Sequence, residues 1–164
     1  MKRKSQIRVR YITLSAIIAA LYVVMTLISA MFGLSSGAIQ LRISEALCAL
    51  VYFTPAAIPG LSIGCLIANL ITNANVLDVV FGTLATFIGA IGGYYLRRNK
   101  WLVTLPTLIA NTVIVPLVIV YGFGSPAVTL PYIALTVGIG EFISACILGT
   151  GLILILEKYN FKIR

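Results

Sequence analysis

The sequence predicts an all-α integral membrane protein, a compact bundle of six transmembrane helices with both termini cytoplasmic. Three observations predict it. The chain is 60% hydrophobic and 10% charged, with a mean hydropathy of +1.09, whereas a soluble domain carries about 25% charged residues. Apolar windows near ~20 residues long recur without period-2 alternation, which fits helices and argues against a membrane barrel. Between Tyr11 and Leu156, outside the cluster Arg97-Arg98-Asn99-Lys100, only Arg42, Glu45, Asp78 and Glu141 are charged.

Residues 1–164 read as one membrane domain. Span 1 covers residues 11–32, an apolar run with no small-residue cleavage pattern leading to a soluble domain. The connection Gly33-Leu34-Ser35-Ser36-Gly37-Ala38-Ile39-Gln40 follows. Spans 2 (43–57) and 3 (60–74) are separated by Thr54-Pro55-Ala56-Ala57-Ile58-Pro59-Gly60, where two prolines and a glycine break a helix. The polar turn Thr72-Asn73-Ala74-Asn75 precedes span 4 (77–96), which the basic cluster ends. Span 5 covers 101–121, Gly122 to Pro126 make the next turn, and span 6 covers 128–156, long enough to tilt.

Basic residues choose six spans over five. With six, every one of the 12 Lys and Arg residues except Arg42 falls on the side of the termini, as the positive-inside rule requires. The same placement explains the net charge of +8 without nucleic acid. Cys48, Cys65 and Cys146 lie in apolar segments with no CxxC and read as packing residues. There is no His, which removes the commonest metal ligand and proton shuttle. Neither a phosphate-binding Gly-rich loop nor a metal motif is present, so no cofactor is expected and any ATP-driven step needs another chain.

A charge within a membrane span is costly and marks function. With six spans, Arg42 and Glu45 stand at the outer end of span 2 and Asp78 at the outer end of span 4. Asn69 falls ~6–8 Å below the outer face, and Asn111 and Glu141 ~15 Å below it. The six groups converge on the outer half of the bundle, as a pocket open to the outside would require. Each has a plainer reading. Asp78 suits a helix first turn. Arg42 and Glu45 are three apart and could pair on one helix face. Asn69 and Asn111 could bond helix to helix. Glu141 is hardest to explain by structure alone, because no basic residue is near it in sequence. On span 1, Ser15, Ala16, Ala19 and Ala20 make a small face that admits another helix closely, either within the bundle or from outside it.

The segments Ile39-Gln40-Leu41-Arg42-Ile43-Ser44-Glu45-Ala46-Leu47, Pro59-Gly60-Leu61, Gly64-Cys65-Leu66-Ile67-Ala68-Asn69, Leu77-Asp78-Val79-Val80-Phe81-Gly82-Thr83-Leu84-Ala85-Thr86 and Gly138-Ile139-Gly140-Glu141 carry a resemblance. In order and spacing, over roughly residues 8–157, the chain resembles the QueT family, within the substrate-binding (S) components of energy-coupling factor transporters. That resemblance implies a queuosine precursor, a 7-deazaguanine base, bound from outside under a lid between spans 1 and 2. It implies association with a transmembrane T component and two cytoplasmic ATPase subunits, with Ala16 and Ala20 docking on the T component. It also implies a bundle that topples in the membrane to release its cargo inside.

Two other functions compete. A solitary proton-coupled carrier would use Glu141 as its acid, but the chain shows no internal repeat. A non-transport membrane protein would not need six converging polar groups. Aromatics near the outer face, such as Tyr121, Phe123 and Tyr132, could stack on a planar base.

Overall fold

A computed structural model describes residues 2–34, 41–72 and 75–159. Those residues are helical, with no strand among them. Helix α1 is Lys2–Met31, followed by a 3₁₀ helix, Ile43–Tyr52, and α2, Ala57–Ile71. A π-helical segment, Asp78–Gly82, runs directly into α3, Thr83–Leu96. Helix α4 is Leu105–Phe123. A 3₁₀ turn, Ala127–Thr129, leads into α5, Leu130–Glu141, which continues through a second π segment, Phe142–Leu148, into α6, Gly149–Lys158.

Four of these stretches are long and apolar enough to cross a membrane: Ser5–Met31, Asp78–Leu96, Leu105–Gly122 and Ala127–Lys158. Of the other two expected spans, the second is shorter than the 43–57 expected, at Ile43–Tyr52, and the third has its expected length but begins three residues earlier, at Ala57. The 3₁₀ helix reaches ~20 Å at ~2.0 Å per residue, and α2 reaches ~22 Å at ~1.5 Å per residue. Neither matches a hydrocarbon core of ~30 Å. The break expected across residues 54–60 is present but shorter, lying between Tyr52 and Ala57. Pro59 sits in the first turn of α2, where its missing N–H costs nothing. Span 5 starts later than expected, because 101–104 form turns and Pro106 is seated at the helix start.

Hydrogen bonds sort the chain into two ends. At one end, the Tyr11 hydroxyl donates to the Pro55 carbonyl at 3.3 Å. Nearby, Tyr52 donates to Glu157 at 2.8 Å and Lys100 pairs with Glu157 at 2.9 Å. At the other end, the Ile43 N–H donates to Ser29 Oγ at 3.1 Å, and Asn75 donates to the Gly122 carbonyl at 2.6 Å. Arg8, Arg10, Arg97, Arg98, Lys100 and Lys158 therefore belong to the first end, and Arg42 to the second. The expected lid at 33–42 falls largely outside the described residues.

The 3₁₀ helix is the axis of the bundle. Ser44 to Val51 are all buried, and the helix touches α1, α2, α3, α6 and the second π segment. Its Leu47, Cys48, Ala49, Leu50 and Val51 pack with Ile18, Tyr22, Leu61, Cys65 and Ile153 as the main core. Helices α1 and α2 lie in backbone contact. A Cβ on Gly64 would stand 2.8 Å from Tyr22 Cβ and 2.9 Å from the Ala19 carbonyl oxygen. On Gly60 it would stand 2.8 Å from the Ser15 carbonyl oxygen.

Candidate functional site

The 3₁₀ geometry stacks side chains three apart on one face. Arg42, just before the helix, and Glu45 and Cys48 within it therefore form a polar row. The row does not pair within itself at its charged end, as the spacing of Arg42 and Glu45 suggested it could. Arg42 Nη2 instead reaches Asp78 Oδ2 at 3.5 Å, bridging to the first π segment. Glu45, 1% exposed, accepts from the Tyr22 hydroxyl of α1 and from Cys48 Sγ at 3.3 Å.

Asp78 is the first residue of its π segment, an acid in the first turn. Its backbone carbonyl accepts from Asn69 Nδ2 at 3.3 Å, so Asn69 ties α2 to this segment. Gly82 permits the approach: a Cβ there would stand 3.2 Å from both Asn69 Nδ2 and Asp78 Oδ1. Asn69 also donates to Cys65 Sγ at 3.6 Å, and Thr86 donates to the same sulfur at 3.3 Å.

On α4, Thr107 and Asn111 are four apart and share a face. Thr107 lies beside the Cys48 thiol, and Asn111 lies within hydrogen-bonding reach of Glu141. Both are buried. Pro116, also buried, has no N–H for the carbonyl of Thr112, which loosens α4 just past Asn111. Glu141 ends α5 where the second π segment begins, and it is 6% exposed. Its Oε2 has no hydrogen-bond partner, and neither has the hydroxyl of Ser144 three residues on. Both Glu45 and Arg42 lie close enough to act on Glu141 electrostatically.

All six residues expected at the site thus belong to one connected polar cluster: Arg42, Glu45, Asn69, Asp78, Asn111 and Glu141. Asn69 serves as the interhelical bond that its plainer reading described. The sequence reading missed Tyr22 and Thr107; Cys48 packs in the core as expected and its thiol also donates to Glu45. A signal for Tyr22 was present. Ser15, Tyr22, Thr26 and Ser29 recur at spacings of seven, four and three, a polar stripe at helical period, and all four are buried. Tyr121 and Tyr132 stand 76% and 62% exposed on the surface of the bundle. The Phe123 side chain lies outside the described residues.

The small face of α1 divides. Ser15 and Ala19 are buried against α2 at Gly60 and Gly64, while Ala16 and Ala20 remain exposed. Around them, Ile12, Ile17, Leu21 and Val24 are exposed apolar side chains.

A family model described as QueT transporter matches residues 12–158. Among curated proteins, the chain is similar to a queuosine precursor transporter QueT of Lactococcus lactis subsp. cremoris (strain MG1363). The two are 40% identical over 73 residues, covering 44% of this chain and 43% of that relative. The match therefore spans less than half the length of the relative. No solved structure matches the chain.

Proposed function

Because this chain belongs to the QueT transporter family, we propose that it is a high-affinity substrate-binding component of an energy-coupling factor importer. It takes a queuosine precursor, a 7-deazaguanine base, from outside the cell. A separate T component and two ATPase subunits then drive delivery inward. The chain is a transporter-family member and not an enzyme. The relative's name supplies the class of cargo, and the buried polar cluster supplies the chemistry to hold it.

One observation carries the reading: Glu141 Oε2 is buried without a partner, next to Asn111. A buried carboxylate oxygen left open costs stability unless a ligand completes it. The Watson–Crick edge of a deazaguanine offers the ring N–H and the exocyclic amine, and an ionised carboxylate can accept both at once. Asn111 adds an amide that donates and accepts. Arg42, Glu45 and Asp78 complete the wall of the site toward the end where residues 33–42 connect.

Both termini lie on the cytoplasmic side in this reading, because the end rich in Arg and Lys belongs inside. The site then belongs to the outer half. Ala16 and Ala20 dock on the T component, since small exposed residues at that spacing let a second helix approach closely.

The test is a titration of purified protein with a 7-deazaguanine and with adenine. Glu141→Gln is expected to weaken deazaguanine binding at least about tenfold, the cost of one charge-assisted hydrogen bond. Adenine presents an acceptor where guanine presents a donor, so it should bind far more weakly than the deazaguanine. Equal affinity for both bases, or an unaffected variant, would mean that Glu141 does not read the base edge. Co-purification with a T component and ATPases tests the energy-coupled part separately.

A further inference from the structure

Trp101, the only tryptophan of the chain, stands at one end of a groove on the surface of the bundle. Leu105 and Leu108 of α4 form one wall. Phe142 and Ile147 of the second π segment and Leu154 of α6 form the other. The groove has a volume of about 510 Å³, within the ~300–1,000 Å³ of ligand cavities. Leu108 and Phe142 also line a second groove of about 710 Å³, between α4 and α5. The two make one apolar track, which runs ~12 Å along α4 from Leu105 to Val113.

The rim of the track and the charge at its mouth identify what fills it. Trp101, Phe142, Ile147 and Leu154 are large and exposed. Side chains of that size hold a second helix off, because helices in a membrane approach over small residues. A flexible chain fits between them. On the floor, a Cβ added to Gly151 would meet nothing within 4 Å, so space opens directly off the backbone. At the mouth, Lys100 pairs at 2.9 Å with Glu157, three residues past Leu154, which anchors the basic turn at this end of the track. The pair uses up that acid. Among the described residues, no carboxylate pairs with Arg97 or Arg98. Arg97 lies over the Tyr94 ring, 4.1 Å from its centroid. Tyr95, Trp101 and Tyr159 are exposed around the same end, as the aromatic belt of a membrane–water boundary requires.

We infer that the groove seats one acyl chain of an anionic phospholipid from the leaflet at the basic end, with the lipid phosphate on Arg97 and Arg98. Guanidinium groups match the oxygens of a phosphate in a fork that other cations lack. Trp101 marks the boundary between headgroup and chain. The seat lies outside the buried polar cluster and does not depend on which cargo the protein carries.

As the sole tryptophan, Trp101 reports on the seat directly. The full chain is reconstituted in phosphatidylcholine vesicles that hold a rising fraction of lipid brominated on one acyl chain, since bromine quenches tryptophan on contact. One series uses brominated phosphatidylglycerol and the other brominated phosphatidylcholine. Phosphatidylglycerol is expected to reach half of its quenching at a fraction at least about tenfold lower, the scale of two basic residues at an anionic headgroup. Arg97→Gln with Arg98→Gln should bring the two series within about threefold of each other. Arg8→Gln with Arg10→Gln, on α1, which packs mainly on α2 and the 3₁₀ helix, should leave the advantage within about twofold of wild type. Gly151→Phe fills the groove and should raise the fraction of phosphatidylglycerol needed at least about fivefold. Equal wild-type curves overturn the inference. So does an advantage that survives the loss of Arg97 and Arg98, or that falls as far on the loss of Arg8 and Arg10, since attraction would then belong to the whole basic end. An advantage that Gly151→Phe leaves intact overturns it too, because the headgroup would be held with no seat for the chain. Size exclusion shows whether each variant folds, and where one does not, the wild-type comparison decides.

Discussion

The hydroxyl of Tyr22, at the middle of α1, donates to the Glu45 carboxylate, 23 residues further along the chain. Both side chains are 1% exposed. The bond joins the first helix to the 3₁₀ axis of the bundle and fixes where that carboxylate points.

Tyr22→Phe therefore removes a donor from a buried carboxylate while keeping the ring that packs the core. Hydrogen bonds to charged groups contribute about 1.5–3 kcal/mol, so the variant should unfold at a clearly lower temperature in detergent. A fluorescence melting curve checks this. An unchanged midpoint would show that Glu45 does not depend on Tyr22.

The contact between α1 and α2 gives a second expectation. Gly64→Ala places a methyl 2.8 Å from Tyr22 Cβ and 2.9 Å from the Ala19 carbonyl oxygen, and backbone cannot retreat cheaply. Overpacking of this kind costs roughly 1–3 kcal/mol. Gly151→Ala is the control, since a Cβ there meets nothing within 4 Å. Comparable melting temperatures for the two variants would mean that the helices separate freely.

Much of this was legible in the sequence, for a physical reason. A charge or carboxamide in an apolar span stands out, so Arg42, Glu45, Asn69, Asp78, Asn111 and Glu141 could be picked out, and they do share one cluster. Tyr22 was marked only by its place in the polar stripe with Ser15, Thr26 and Ser29, and Thr107 not at all, because Thr is ordinary in apolar helices and only its partner reveals it. The ends of the elements were less legible. The prolines at 55 and 59 suggested a simple break, but Pro59 fits inside the first turn of α2. Nothing in Ile43-Ser44-Glu45-Ala46 distinguishes a 3₁₀ helix from an α-helix. Packing against neighbours on several sides imposes the tighter winding, in a run far longer than the 3–4 residues usual for it.

The exposed part of the small face on α1 predicts a separation of binding from transport. Ala16→Leu or Ala20→Leu should leave ligand affinity of the isolated protein nearly unchanged and abolish uptake in cells. A bulky side chain there touches nothing within the bundle but would hold a partner helix away. Uptake that survives the double substitution would exclude this face as the docking site.

Sidedness can be read by labelling with a membrane-impermeant thiol reagent. In a background where Cys48, Cys65 and Cys146 are Ser, so that residue 48 keeps a donor for Glu45, Ser36→Cys should label from outside intact cells and Asn99→Cys should not. The reverse pattern would invert the topology. Labelling of both from outside would break the odd number of crossings between them.

The two π segments begin at Asp78 and immediately after Glu141. A π segment is an α-helix that has taken in extra chain, and each added residue turns everything beyond it by about 100°. The stretches on either side of Glu141 are thus phased independently. Leu130–Glu141 can aim its carboxylate inward at the site, while Gly149–Lys158 keeps Gly149, Thr150 and Ile153 buried in the core. The same holds for Asp78 ahead of α3, whose Ala85, Thr86, Gly89, Ala90 and Gly93 form the buried face. Removing a single residue from either segment would leave composition and hydropathy almost untouched. It would rotate an acid away from its partners or a packing face out into lipid, so these helices should tolerate substitution far better than deletion.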